Sequence, residues 1–523
     1  MNPQFNIMLG QAVEAFQAGN FERASSILQK VLQLDAKCLP ALHILGLIKA
    51  ANKEYKDAAE FLGRAVRLNP KEPSIFYNLA KALSDGGRLD ESLPHYEKAV
   101  ALAPKYQEAW MGFGEALVGV KKYQLALDAF DKATLLNPLL AEAWSNKGNV
   151  LHILRLYEEA LGCFDRAISI DPNLSQAYYN KGVTQSEMRR IEAAVISFST
   201  AISLKENFFS AIWNKSLCDL QLGNLSEGFA GHEARHNRVE IGNSIEKRIF
   251  NKPLWLGDAS LENKTILLYG EQGLGDFIQF CRYAKSVADL GGRVILEVPK
   301  PLYELMLDLD GVSQLVIKGE ELPPFDYQCP LLSLPLAFKT TLTTLPKIKK
   351  YISLEDKEIK IAEWNIRLGA KTKPRVGLVW SGNPLHKNDR NRSVPLSEIV
   401  QYLPSQFQYV SLQKEIREAD ELTLKANSHI ANFGQYLNDF SDTATLIDCL
   451  DLVISVDTSV AHLSGALGSK TWVLLPFVPD WRWLLDREDS PWYPSIKLFR
   501  QDKLGDWSTA LNKISVGLAR LMV

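Results

Sequence analysis

Four prolines, Pro70, Pro104, Pro138 and Pro172, stand 34 residues apart, and the segments between them recur with them. Ala109, Ala143, Ala177 and Ala211 share the period, and Trp110, Trp144 and Tyr178 follow one place on. Gly114, Gly148 and Gly182 repeat in the same way, as do Tyr123 and Tyr157, then Phe130, Phe164 and Phe198. Each unit places a small residue where two helices cross, aromatics in the gap between them and a proline after the second helix. Such units stack on their neighbours to bury a continuous core. Counted from the clearest copies, they begin near Ile7, Ala41, Ile75, Ala109, Ala143, Ala177 and Ala211. The first and last are the least regular, as end caps require. The period stops near residue 240, and a different chain begins.

This 34-residue unit resembles the tetratricopeptide repeat. The resemblance implies a superhelix over residues 1–240 whose concave face, lined by the first helix of each unit, grips a peptide. Asn78, Asn146, Asn180 and Asn214 occupy one position of that first helix, interrupted by Gly112, and Lys147, Lys181 and Lys215 follow in the next register. An amide carries both a donor and an acceptor, so a column of them can pair with the backbone of an extended peptide whatever its sequence. The same side chains can instead bond only to the neighbouring repeat.

With 523 residues the chain exceeds one domain, and each half is long enough to bury its own core. Its 59 basic and 61 acidic residues leave a formal charge of −2, which supplies no field for nucleic acid or an acidic membrane. The opening Met1-Asn2-Pro3-Gln4-Phe5-Asn6 lacks the basic and apolar stretches of a secretory signal. No apolar run reaches membrane-spanning length; the longest, around 471–478, reads as a strand. Cys38, Cys163, Cys218, Cys281, Cys329 and Cys449 show no paired-ligand spacing, which suits a reducing cytoplasm. A cytoplasmic protein with no cofactor of its own is expected.

Residues 241–262 read as a linker that packs, because Phe250 and Trp255 are too apolar for a free tether. Beyond it, apolar runs alternate with helical segments: strand 265–269, helix 276–290, strand 293–298 and helix 301–309. After Pro374 the rhythm restarts with strands 375–380, 407–412, 452–456 and 471–475. Solid apolar strands alternating with helices predict parallel sheets covered on both faces. Two Rossmann-like lobes follow, 263–370 and 371–523, with a cleft at the carboxyl ends of their strands.

Two segments at such strand ends carry chemistry. The first, Tyr269-Gly270-Glu271-Gln272-Gly273-Leu274-Gly275-Asp276, turns from strand to helix with a carboxylate at the helix start, which by itself is also a capping pattern. The second, Val456-Asp457-Thr458-Ser459-Val460-Ala461-His462, feeds a buried strand into a helix whose first turn carries hydroxyls, suited to a diphosphate. Gly275-Asp276 together with Asp457-Thr458-Ser459, His462 and Ala466-Leu467-Gly468 resembles the two signatures of the heptosyltransferase-like glycosyltransferases, family 9, over roughly residues 263–500. That resemblance implies the two-lobed GT-B fold, inversion at the sugar carbon and no metal. Repeats in front of a GT-B module are similar in plan to O-linked N-acetylglucosamine transferases, which have an asparagine ladder, and to bacterial flagellin-modifying transferases. An ordinary family 9 member has no repeats, and the segment from Trp380 to Ser393 is more polar than that family requires.

Inverting transfer needs a base for the acceptor hydroxyl, for which Asp276 is the candidate. It also needs positive charge at the departing nucleoside diphosphate. Lys387, Arg390 and Arg392 lie on a loop after a strand and are candidates for it, although a Lys/Arg run is also what a solvated loop shows. Gly273, Gly275, Asp457, Thr458, Ser459 and His462 complete the expected donor site. His386 and His462 fit either ligand contact or structural hydrogen bonding. Trp481-Arg482-Trp483 fits base stacking or core packing, and Asp308-Leu309-Asp310 before Gly311 reads as a turn rather than a metal site. The expected protein is a glycosyltransferase moving a sugar from a nucleotide-sugar to a protein held by the repeats. Alternatives are a glycan acceptor, a scaffold with an inactive transferase module, and a carbohydrate-binding regulator.

Overall fold

The computed structural model describes residues 3–237, 248–346, 348–354, 357–386 and 388–521. Residues Met1–Gln185 with Thr200–Glu206 form one compact unit, and Ser186–Ser199 with Asn207–Val523 form a second. The N-terminal part is a helical solenoid, and the remainder is an α/β region with parallel sheets.

Helices pair within each 34-residue period, as in Gln107–Gly119 with Tyr123–Leu136 and Ala141–Ile153 with Tyr157–Ile170. The repeating glycine and phenylalanine are one device. A Cβ on Gly114 would stand 2.7 Å from the Phe130 ring, and one on Gly148 would stand 2.7 Å from Phe164. Each ring therefore lies directly on the backbone of its partner helix and is fully buried there, which contributes about 1.5–3 kcal/mol per phenylalanine. The turn inside each pair is periodic too. Gly19, Lys53, Gly87, Lys121, Arg155, Arg189 and Gly223, spaced by 34, all have positive φ, from 59° at Arg189 to 85° at Gly223. Non-glycine residues accept that left-handed geometry because it closes a two-helix turn whose flanks are already packed.

In the α/β region the strands are β1 Thr265–Tyr269, β2 Arg293–Val298, β3 Val312–Ile317, β4 Tyr327–Pro330, β5 Arg375–Val379, β6 Gln408–Ser411, β7 Ile430–Asn432, β8 Leu452–Val456, β9 Thr471–Leu475 and β10 Ile496–Arg500. The first sheet has the order β3-β2-β1-β4 and the second β10-β9-β8-β5-β6-β7, and every ladder pairing is parallel. The second order is the doubly wound one, with successive strands leaving β5 first toward β7 and then, after a reversal, toward β10. β5, β8 and β9 are buried throughout, as strands covered on both faces must be.

Several elements differ from the expectation. The helix predicted over 276–290 is two helices, Leu274–Phe280 and Tyr283–Asp289, broken where the buried Arg282 turns its Nε back to Gln279 O at 2.7 Å and its Nη1 to Trp492 O at 2.8 Å. The helix predicted over 301–309 is a 3-10 turn, Lys300–Leu302, followed by further turns closed by bonds such as Leu305 N–H to Leu302 O. Asp308 and Asp310 lie in the later turns, before Gly311 at φ 84°. The boundary near residue 370 falls after the helix Glu358–Leu368, whose Trp364 packs on Phe433 and Tyr436 beside the second sheet. Within the expected linker, Trp255 is buried and Phe250 packs on Tyr269 and Phe325, while residues before 248 lie outside the described residues.

Candidate active site

In a doubly wound sheet a ligand crevice opens where the strand order reverses, beyond the carboxyl ends of the two strands there. For the second sheet these strands are β5 and β8, which lead into Trp380-Ser381-Gly382 and Asp457-Thr458. For the first sheet they are β1 and β4, and that reversal point is filled. The buried Arg235 donates to Glu271 Oε2 at 2.8 Å, to Ser333 Oγ at 2.7 Å and to Glu233 Oε1 at 2.5 Å.

The two motifs meet. Gly275, in the helix Leu274–Phe280 after β1, lies so near the helix Ser459–Ala466 after β8 that an added Cβ would be 2.9 Å from His462 Cδ2 and 3.4 Å from Ser459 Cα. Glycine here is therefore a requirement of helix-to-helix approach. Asp276 is in the first turn, where its Oδ2 accepts from Gly273 N–H at 3.0 Å, the capping bond anticipated for a carboxylate at this place. Its Oδ1 accepts from Arg482 Nη2 in an ion pair. Burial pushes the Asp276 carboxyl above its usual range, and Arg482 opposes that rise.

Asp457 is also raised, first by burial and then by the like charge of Asp480, against the pull of Trp483, Arg392 and Arg482. In Asp480 burial works upward but is outweighed by Arg482, whose Nη1 donates to it at 2.8 Å and whose backbone N–H donates at 3.0 Å. Arg392 Nη1 donates to Asp457 O at 3.0 Å. Its guanidinium covers Gly382, where a Cβ would be 2.6 Å from Nη2. Arg392 Nε is buried without a hydrogen-bond partner, and Asp389 Oδ1 stands 3.8 Å away. Thr458 precedes the helix that Ser459 begins, with its Oγ1 3.3 Å from Ser455 Oγ. Arg390 is exposed on the short helix Asp389–Arg392, His386 is exposed nearby, and Lys387 lies outside the described residues.

His462 is a core histidine. Its Nδ1 shares a hydrogen bond with the Tyr493 hydroxyl at 3.0 Å, and its ring stacks on Trp483 with centroids 5.4 Å apart. Burial, followed by the charge of Arg482, lowers it to about 3, so it is neutral near pH 7. Trp481 and Trp483 are likewise buried, which leaves neither ring open for a nucleotide base. Sequence reasoning missed the roles of Asp480, Arg482 and Gln279. The signal for Asp480 and Arg482 was a pair of charges set inside an aromatic stretch, and Gln279 carried none.

In the repeats, Asn78 Nδ2 donates to His43 Nε2 at 2.8 Å and Asn146 Nδ2 to Glu115 Oε1 at 3.1 Å, each in the preceding repeat. Asn180 Oδ1 accepts from Gln176 Nε2 at 2.9 Å, and Asn214 lies in the helix Phe209–Leu222 of the second unit. The ladder is thus not a row of free amides: at Asn78 and Asn146 the expected alternative of inter-repeat bonding is present. The lysines that follow are paired as well, Lys147 with Asp131 at 2.7 Å and Lys181 with Asp165 at 2.6 Å.

Among the described residues no helix is long and apolar enough to cross a membrane, and no three His, Cys, Asp or Glu side chains gather as a metal site. Sequence models of the tetratricopeptide repeat match residues 15–83, 77–134, 141–174 and 163–196. Protein FlbA of Caulobacter vibrioides is 26% identical over 326 residues, covering 57% of this chain and 53% of FlbA, so the chain spans about half the length of the curated relative it matches. Among solved structures, YrrB, described as a repeat protein with an unusual peptide-binding site, is 28% identical with a TM-score of 0.32 over 33% of this chain and 90% of its own. MamA is 23% identical with a TM-score of 0.31 over 32% and 92%. By the sequence-model matches, the N-terminal part of the chain carries an array of tetratricopeptide repeats.

Proposed function

We propose that the protein is an inverting, metal-independent glycosyltransferase that moves a sugar from a nucleotide-sugar to a protein acceptor held by its repeats. The observation that carries this reading is the meeting of two strand-end helices at Gly275, which brings the helix carrying Asp276 against the helix that Ser459 begins. Asp276 takes the proton of the acceptor hydroxyl as that oxygen bonds to the sugar carbon and the bond from carbon to phosphate oxygen breaks. The leaving nucleoside diphosphate is stabilised by Arg392 and by the amides and hydroxyls that open the Ser459–Ala466 helix. Burial raises the Asp276 carboxyl, which makes it a stronger base than an exposed carboxylate, and Arg482 opposes that rise.

The bonds already made by Asn78 and Asn146 favour a second reading, in which the acceptor is a glycan and the repeats take no part in its choice. One experiment separates the two. The full chain is screened for thermal stabilisation by UDP-, ADP-, GDP- and CMP-sugars, and the stabilising donor is then used for transfer onto candidate acceptors in the presence of a chelator. A donor that binds the native state raises the melting temperature. Transfer to protein that is lost in the Asn78, Asn146 and Asn180 triple alanine variant, while donor hydrolysis persists, supports the protein-acceptor reading. Stabilisation by none of the sugars overturns the proposal, and inhibition by the chelator that Mg²⁺ or Mn²⁺ reverses overturns its metal-free chemistry.

A further inference from the structure

Asp276 is held by a segment that belongs to neither strand-end motif. Arg482 lies in the turn Trp481–Trp483, is 7% exposed, and commits its three nitrogens to three different groups. Nε donates to Gln279 Oε1 at 2.7 Å, Nη1 to Asp480 Oδ1 at 2.8 Å and Nη2 to Asp276 Oδ1. Gln279 and Asp276 share the helix after β1, whereas Asp480 belongs to the loop after β9. The guanidinium lies against Trp481, 4.3 Å from its ring centroid.

That turn is itself pinned at both ends. Gln221 Nε2 donates to Pro479 O at 3.0 Å, and Arg500 Nη2 donates to Trp483 O at 2.6 Å. Arg482 is therefore a fixed strut from the second lobe to the base candidate of the first, and its planar fork makes the aim of the carboxylate a property of the fold.

Resting on the glycosyltransferase reading, we propose that Arg482 is the positioning residue for Asp276, fixing its carboxylate across the two lobes so that the free lone pairs face the acceptor hydroxyl. Each carboxylate oxygen accepts more than one hydrogen bond, so the contacts to Gly273 and Arg482 leave room for that proton. The charge matters as well as the aim. The charged and titratable groups facing Asp276 are Arg482, Asp480 and His386, with His462 against the adjoining Gly275, and Arg482 is the strongest influence opposing the rise that burial causes.

The test uses Arg482→Gln and Arg482→Lys in the full chain. Arg482→Gln should lower kcat by about 10²-fold, the scale of a misplaced catalytic group, with the donor KM changed far less. The acid limb of its pH profile should move to higher pH, and Arg482→Lys should restore part of both effects. Melting temperature against pH supplies a readout free of activity. A folded Asp276 raised above its unfolded value binds its proton more tightly than the unfolded chain, so stability rises as pH falls through the folded value. In Arg482→Gln that rise should begin at higher pH, and Asp276→Asn should shrink the difference, the remainder being what Asp480 and Asp457 lose with Arg482.

An unmoved acid limb with unchanged kcat overturns the proposal, as does a melting difference that Asp276→Asn leaves undiminished. Should Arg482→Gln not fold, Asp480→Asn replaces it. It frees Arg482 from the other side and removes a negative neighbour of Asp276, so the acid limb should move to lower pH, and an upward move overturns the proposal. If the wild type turns over no donor, the transferase reading fails, and the melting cycle alone decides whether Arg482 governs Asp276.

Discussion

The two compact units bury different chemistry. Among the described residues of the first, every fully buried polar side chain is neutral: Ser92, Thr134, Ser145, Thr184 and Gln185. The second buries Arg235, Arg282, Glu297, Arg375, Asp389 and Arg482 among others. A buried charge is expensive unless paired, so packing alone cannot account for its presence. The repeats are held by fitting aromatic rings onto small residues, a device that copies easily from unit to unit. The α/β unit departs from that economy where strand ends and loops converge, and two of its buried charges, Arg235 and Arg482, stand at or beside the reversal points of its sheets. Among the described residues, buried charge is thus confined to the second unit.

The largest effect expected from this contrast is on turnover. Asp276→Asn deletes proton acceptance with little change of volume, and Arg482 keeps its bonds to Asp480 and Gln279. Turnover should fall by about 10²- to 10⁴-fold with donor affinity kept. Steady-state kinetics and calorimetry check this, and near-normal turnover would remove Asp276 from the role of base. Next in size is a purely structural change in the repeats. Phe164→Ala empties the space over Gly148 and should destabilise the array by about 3–5 kcal/mol in urea denaturation while leaving donor binding intact. A loss under about 1 kcal/mol would show that the array collapses into the gap.

How much of this contrast is legible in the sequence follows from the same physics. The repeats could be read because one packing solution recurs seven times, and the αL turn at Lys53, Lys121 and Arg155 repeats with it. The strands β1, β2, β5, β6, β8 and β9 were legible as apolar runs. The edge strands were not: β3 contains Ser313 and Gln314, β10 alternates Lys497 and Arg500 with apolar residues, and β7 has three residues. A half-covered strand that short carries no periodicity to recognise. The motif residues Asp276 and Asp457 could be named from their strand-to-helix turns. Arg482 could not be placed, because its partners Asp276 and Gln279 lie more than 200 positions earlier, and only folding brings them together.

Donor binding should respond more moderately. Arg392→Ala removes a charged donor from the Asp457 carbonyl and a guanidinium that covers Gly382. A hydrogen bond to a charged group contributes about 1.5–3 kcal/mol, so donor affinity should weaken by roughly 10- to 10²-fold. Isothermal titration with the stabilising nucleotide-sugar measures it. Unchanged affinity would move the diphosphate away from the crevice between β5 and β8, and the comparison would lose its functional half.

The smallest expected effect tests the other side of the contrast, the charges of the repeats. Lys147 pairs with Asp131 at 2.7 Å, and their side chains are 22% and 49% exposed. Lys181 and Asp165 repeat the arrangement 34 residues on, at 2.6 Å. Being regular and close, these pairs look like a rung of the superhelix, but solvent screens them and two long side chains must be ordered to form each one. A double-mutant cycle of Lys147→Met and Asp131→Asn should therefore give a coupling of only about 0.2–1 kcal/mol. It should shrink further in 0.5 M salt. A coupling that withstands salt and exceeds about 2 kcal/mol would mean that the repeats also rely on desolvated charge, and the division between a packed array and a charge-burying α/β unit would not hold.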